Sequence, residues 1–285
     1  MSIEDNIEHF FWTARQRYNI KLQREAGVPP PWTGDPQFKQ WRFCNVHRED
    51  DKTTRWFRDH VRDKTTNLKN LESTVIFRWF NKIETGEIIE DLLTGEWNTN
   101  EARRRLKDVK PVVTGAYIIK GMDGFNKLDG VLYVIDEALQ ELPHIYETWV
   151  DLAHGSGIKP TLQRAWSDLR ELHYLGNFMA YEVVSDIRWS ILEDAPDIMD
   201  WANAGPGAAR GLRWIYQEEF NKNSAADQKR MNVLMQELLE RSYDFGYWPS
   251  EWKHWEMREV EHWLCEYDKY QRAARGDSMK RRFRP

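Results

Sequence analysis

Apolar positions recur at helical spacing along almost the whole chain. Ile7, Phe10, Phe11, Ala14, Tyr18 and Leu22 fall three and four apart, which predicts an amphipathic helix running to Ala26. Ser2 followed by Asp5 reads as its capping box, and Gly27 with the prolines behind it as its stop. Asp35-Pro36 reads as an N-cap with proline in the first helical position. Thr53 or Thr54 then caps a helix carrying Trp56, Phe57 and Val61, and Leu68, Leu71, Val75, Ile76, Trp79 and Phe80 predict another over 67–82. Helical spacing continues over 84–93, 99–109, 129–142, 161–172, 197–202, 208–218, 224–243 and 249–274. The stretch 176–192 is apolar on most sides and reads as a buried central helix. Residues 154–160 read as a glycine-containing turn, and only 111–120 (PVVTGAYIIK) has a β-type pattern, which one small hairpin would satisfy. The sum is about twelve helices, so the expected fold is an all-α compact bundle. We read 1–285 as a single helical domain, compatible with two lobes meeting near residue 150.

Composition narrows the class. No apolar run approaches the roughly 18 residues of a membrane span, and the acidic start lacks a signal-peptide pattern, so a cytoplasmic location is expected. Two distant cysteines, Cys44 and Cys265, argue against a disulfide framework and against a four-ligand zinc site. A net charge of −5 does not announce a nucleic-acid binder, but binding needs only a local basic face. Arginines do cluster, around Arg15 to Arg24, Arg42 to Arg62, Arg103 to Arg105 and in the tail from Lys280 to Arg284. Fifteen tryptophans can fill a helical core, or a few can stack on bases.

Candidate chemistry concentrates between Pro29 and Arg55. Arg42, Asn45, His47, Arg48, Glu49, Asp50 and Asp51 crowd among Trp41, Phe43, Cys44 and Val46. Either these groups pair in a scaffold or they line a site for a charged ligand. Gly205-Pro206-Gly207-Ala208-Ala209-Arg210-Gly211 opens a helix with small residues, similar to the turn of a helix-hairpin-helix element that holds a DNA phosphate on backbone amides. A tight helix crossing would require the same glycines. The turn containing Lys159 repeats the theme more weakly. On the last helix Glu261, Cys265 and Lys269 form one row and His262, Glu266 and Tyr270 the next; Glu261 and His262 can act as a base and its partner, while Glu266 and Lys269 read as a surface pair. Asp186 is a carboxylate within an apolar helix, with a salt bridge to Arg188 or a nearby lysine as its structural alternative. Cys44 reads as an inert thiol. The motifs of P-loop, zinc-peptidase and serine-elbow enzymes are absent.

Several blocks resemble a known family. Arg24-Glu25-Ala26-Gly27, Pro31-Trp32-Thr33, Asp35-Pro36, Arg42-Phe43-Cys44-Asn45-Val46 and Arg48-Glu49-Asp50-Asp51 are similar to the N-terminal signature of the α-glutamyl/putrescinyl thymine pyrophosphorylases. That family includes phage amino acid:DNA transferases and is related to the helical domain of 5-hydroxymethyluracil DNA kinases. The resemblance continues through Gly176 to Tyr181 with Asp186, Gly205 to Leu212, and Glu261 to Tyr270.

The resemblance implies a DNA-glycosylase-like helical fold. It implies a transferase that replaces the pyrophosphate of activated 5-hydroxymethyluracil in DNA with an amino acid or polyamine, in an infected host cell if phage-encoded. These 285 residues carry no kinase domain, which fits the transferase better than the kinase. The chemistry requires a flipped base, for which Trp32, Trp41 or Phe178 is suited. It requires cations for the leaving polyanion, where Arg24, Arg42, Arg48 and Lys269 are expected. It requires a base for the amine among Glu49, Asp50, Glu261 and His262, and Asn45 or an arginine for the donor's carboxylate. Trp32 and Asp35 shape one wall; Gly205, Gly207, Arg210 and Lys159 hold DNA. No protein metal site is expected, although Asp35, Glu49, Asp50 and Asp51 are compatible with a divalent metal on the pyrophosphate. Two other readings stay open. One is a glycosylase-like enzyme excising a modified base with Asp186 as the activating carboxylate; the other is a non-catalytic DNA-binding helical module.

Overall fold

The computed structural model describes residues 2–119, 121–277 and 282–283, and among these the chain is all-α. Its helices are α1 (Ile3–Glu25), α2 (Pro36–Gln40), α3 (Lys52–His60), α4 (Asn67–Phe80), α5 (Ile83–Ile88), α6 (Glu90–Thr94), α7 (Thr99–Leu106), α8 (Lys127–Ser156), α9 (Leu162–Leu169), α10 (Gly176–Ile187), α11 (Pro206–Tyr216), α12 (Ala225–Arg241) and α13 (Met257–Ala274). The only β contact among the described residues is an isolated antiparallel bridge between Trp41 and Arg282. No described helix is long and apolar enough to cross a membrane. Of the basic tail, Lys280, Arg281 and Arg284 lie outside the described residues.

Two units emerge, with bounds away from residue 150. One joins Met1–Asp51 to Ile198–Pro285, and the other is Lys52–Asp197. The first unit therefore brings the two ends of the chain together.

In the first unit α1 follows its sequence closely. Ser2 and Asp5 cap each other reciprocally, and Ile7, Phe10, Phe11, Ala14 and Tyr18 are buried on one face. Arg17 lies on that face too and is buried. The crossing of α11 on α13 depends on two glycines one turn apart. A Cβ on Gly211 would stand 2.4 Å from the Leu264 carbonyl oxygen, and one on Gly207 2.7 Å from Cys265 Sγ. Gly207 and Gly211 are thus committed to close helix packing, the reading set beside the DNA-phosphate turn above. The Gly205 N–H donates to Glu261 Oε1 at 3.3 Å.

The last helix starts later than its pattern predicts. Residues 249–256 are irregular, because their aromatic residues bury against α1 and the preceding turn: Trp252 meets Tyr18 at 4.6 Å and Trp255 meets Phe11 at 5.4 Å between ring centroids. The carbonyls of Lys253 and His254 face His47 Nε2, at 3.0 and 3.2 Å, in place of helical amides.

In the second unit, α8 runs through Pro143 to Ser156, so the expected turn at 154–160 shrinks to the residues after Gly157, whose φ of +68° ends the helix. Burial of Leu142 and Trp149 on either side of the proline favours continuation. α3 begins at Lys52, ahead of Thr53 and Thr54. Residues 197–202 form no helix but a turn ending at Asp200; Asp197 caps α9, accepting from the Leu162 and Gln163 amides at 2.7 and 2.9 Å. The β-type run at 111–119 forms no strand. Its backbone is satisfied from neighbouring helices, with the Thr114 N–H on the Phe80 carbonyl at 2.7 Å and Thr85 Oγ1 on the Val112 carbonyl at 2.7 Å. Lys120 lies outside the described residues.

Candidate functional site

The segment after α2 lies along α13, and two backbone hydrogen bonds set its register. The Cys44 N–H donates to Glu266 Oε2 at 2.8 Å, and His262 Nε2 donates to the Asn45 carbonyl at 3.1 Å. Asn45 then closes the loop on itself. Its N–H donates to Asp51 Oδ1 at 2.9 Å and its side-chain amide to the Asp50 carbonyl at 2.8 Å. Cys44, Asn45, Asp51 and His262 end up together and half-buried, contributed by residues more than two hundred apart in sequence.

Within this cluster Asp51 Oδ2 lies 4.0 Å from His262 Nε2. Burial pushes the Asp51 carboxyl above its ordinary 3.8, against the opposing influence of His262, the Asn45 N–H and Arg17. Burial, reinforced by Glu266 and Asp51, pushes the Cys44 thiol well above 9.0, so it stays protonated, in keeping with the inert thiol expected. For Glu266 burial is again the largest influence and acts upward, yet Lys269, His262 and the Cys44 amide outweigh it and hold the carboxyl below 4.5. Glu266 is 8% exposed and pairs with Lys269 at 3.1 Å, which corrects the surface pair expected for these two residues.

Two cations border the cluster. Lys269 Nζ sits 4.8 Å over the Phe43 ring. Arg17 donates from Nε to the Phe43 carbonyl at 3.4 Å, while its Nη1 is buried without a hydrogen-bond partner among the described residues. Such an orphaned guanidinium nitrogen suits an anionic oxygen. Sequence reasoning missed Arg17, although a lone arginine on the apolar face between Ala14 and Tyr18 was a signal for it. It placed Asp51 in the polar cluster and among possible metal ligands, but not among the candidate bases.

The other expected site residues are held elsewhere. Glu49 is buried with Oε1 3.8 Å from Arg258, which itself pairs with Glu259 at 2.9 Å; Arg48 is buried beside them. Asp50 pairs with Lys21 at 2.9 Å. Asp35 caps α2 and accepts the Tyr270 hydroxyl at 2.8 Å. Glu261 receives the Gly205 amide and the Cys265 thiol, so it faces away from His262, its neighbour about 100° around the helix. Arg24 covers Trp32 at 5.1 Å, and Arg42 is exposed. Arg210 pairs with Asp268 at 2.9 Å.

In the second unit Lys159 pairs with Asp194 at 2.7 Å, and Phe178 packs on Tyr117. Asp186 is fully buried and takes both Nε and Nη2 of Arg78, which is the salt-bridge alternative with a different partner from Arg188. Bound in this way, it is not available to activate a water, and the glycosylase-like reading loses its residue.

One set of atoms has metal-ligand character. Cys44, Asp51 and His262 each offer an atom within 4.8 Å of the others. Arg17 and Lys269 border this set and supply positive charge beside Cys44. The carboxylates expected to share a divalent metal are dispersed, since Asp35, Glu49 and Asp50 each engage a different partner.

Residues 4–280 match the sequence model described as 5-hmdU DNA kinase, helical domain. The 5-hmdU DNA kinase of Bacillus phage SP10 is 26% identical over 293 residues, a match covering 92% of this chain and 44% of that protein. The chain therefore spans less than half the length of this relative. No solved structure matches.

Proposed function

The chain belongs to the family of the 5-hmdU DNA kinase helical domain, and from that premise we propose that it is a DNA-modifying transferase. Its substrate is 5-hydroxymethyluracil in DNA activated as a pyrophosphate ester, and it replaces the pyrophosphate with the amine of an amino acid or polyamine. The observation that carries this reading is Asp51: a carboxylate made more basic by burial, with Oδ1 fixed by the Asn45 amide and Oδ2 open toward His262.

The bookkeeping of the step is simple. The amine nitrogen forms a bond to the methylene carbon on uracil C5, and the carbon–oxygen bond to pyrophosphate breaks with its electron pair on oxygen. Whether the leaving group departs before the amine arrives or as it arrives, one proton must come off the nitrogen. Asp51 Oδ2 receives it; the carboxylate is held through Oδ1 by the Asn45 N–H, and His262, tethered through the Asn45 carbonyl, stands 4.0 Å from the open oxygen. The buried Arg17 Nη1 and Lys269 meet anionic oxygens of the pyrophosphate or of the donor's carboxylate.

The experiment is mass spectrometry of nucleosides after incubation of the chain with kinase-treated 5-hydroxymethyluracil DNA and a pool of amino acids and polyamines. A heavier nucleoside with release of pyrophosphate is expected. Unchanged masses with every amine supplied overturn the reading, and abasic sites would return the glycosylase.

A further inference from the structure

Most arginines of this chain are neutralised at short range. Arg15 pairs with Glu8, Arg105 with Asp91, Arg164 with Asp168 and Arg230 with Glu218. Along residues 24–42 of the first unit, and at Arg282 beside them, that rule fails. Arg24, Lys39, Arg42 and Arg282 are all exposed, and none pairs with a carboxylate among the described residues. The acids nearest in sequence are occupied, Glu25 by Lys21 at 3.5 Å and Asp35 by the Tyr270 hydroxyl at 2.8 Å.

Aromatic rings are interleaved with these cations. The Arg24 guanidinium lies 5.1 Å over Trp32, and that of Arg282 lies 5.2 Å over Trp41. Phe283 links the two pairs, meeting Trp32 edge-on at 6.1 Å and donating its N–H to the Gln40 carbonyl at 3.0 Å. Both indoles are only half-buried. The strip is also held in place before any ligand arrives: Trp32 Nε1 donates to the Val28 carbonyl at 2.6 Å, and Trp41 bridges to Arg282. Preorganised rings alternating with unpaired cations match a polyanion that carries planar groups.

We propose that this edge binds an unpaired strand of DNA, its phosphates on Arg24, Lys39, Arg42 and Arg282 and its unstacked bases on Trp32 and Trp41. A duplex would use the cations and leave the indoles idle, because its bases are stacked inside. The inference deepens the function proposed above and rests on it for the choice of DNA over RNA. It also moves strand contact away from Arg210 and Lys159, whose charges Asp268 and Asp194 already neutralise.

The test is fluorescence anisotropy of the full chain with three unmodified labelled oligonucleotides of equal length, single-stranded DNA, duplex DNA and single-stranded RNA, over a salt series. Single-stranded DNA should bind tightest. Arg24→Ala with Arg42→Ala should weaken it by about tenfold or more, with the salt slope falling by about 0.7 for each lost phosphate contact. Trp32→Ala with Trp41→Ala should weaken the single strand and leave duplex binding unchanged, and Arg230→Ala should change nothing. Circular dichroism establishes that each variant is folded. Wild-type affinity in the folded arginine variant, or equal or tighter binding of duplex or RNA, overturns the proposal. None of these oligonucleotides carries an activated base. Binding as expected with no heavier nucleoside in the transfer assay would therefore sink the proposed activity and leave this inference standing.

Discussion

Asp51 Oδ2 faces His262 Nε2 across 4.0 Å, too far for a hydrogen bond and close enough for each to feel the other's charge. The gap leaves one carboxylate oxygen open beside a fixed imidazole.

Asp51→Asn should lower amine transfer by about 10²–10⁴-fold, the usual worth of a positioned general base. In the proposed step ionised Asp51 is the active form and burial raises its pKa, so transfer should fall as pH drops through a value above the ordinary 3.8. That acidic limb should disappear from the residual activity of Asp51→Asn. Thermal unfolding of the variant should match wild type or exceed it, because the amide removes a charge that burial penalises. Full activity in a folded Asp51→Asn chain would remove Asp51 from the mechanism.

Asp186→Asn should act on stability alone. It removes the charge of the Arg78 partner while Glu182 at 3.4 Å remains, at a cost of about 1–3 kcal/mol. Urea denaturation should show the loss, and neither chain should generate abasic sites in DNA containing modified thymine. Unchanged stability would mean that Arg78 finds another partner.

The helix crossing predicts an order. Gly211→Ala should destabilise more than Gly207→Ala, both within about 1–3 kcal/mol. A methyl at 211 meets the Leu264 backbone carbonyl at 2.4 Å, which cannot move without shifting α13, whereas at 207 it first meets the Cys265 sulfur at 2.7 Å, which can rotate. Midpoints in urea settle the ranking, and equal values would argue that α11 slides as a unit.

Glu259 sets an acid limit. It is buried; burial acts to raise its pKa, but Arg258 and His47 overcome that and hold it below 4.5. A depressed carboxylate contributes stability that is present above the unfolded value and lost as pH falls through the folded one. Wild type should therefore lose stability as pH drops below about 4.5, and Glu259→Gln should be weaker at neutral pH with a flatter acid profile. Parallel acid profiles for the two chains would show that Glu259 does not contribute.

Local chemistry made most of the helices legible. The Ser2–Asp5 cap, the Asp35-Pro36 start and the three-and-four spacing of Phe10, Phe11, Ala14 and Tyr18 are properties of neighbouring residues, and the structure reproduces them. Where the pattern misled, distant groups had taken the backbone's partners. His47 faces the carbonyls that a helix over 249–256 would have used, and the Phe80 carbonyl accepts the amide of Thr114 in the run read as a strand.

The site divided along the same line. Sequence alone marked residues 42–51 and 261–269 as too rich in charge to be idle, because burying so many polar groups demands partners or a ligand. Which groups became partners was decided only when the two ends of the chain met in one unit. Glu49 and Asp50, favoured by their place in the motif, went to Arg258 and Lys21. Asp51 and His262 met with no ion-pair partner but each other among the described residues, beside an arginine from α1 that no local pattern connects to either. Helix formation depends on contacts a few residues apart, whereas this cluster depends on contacts between opposite ends of the chain, and only the tertiary fold specifies those.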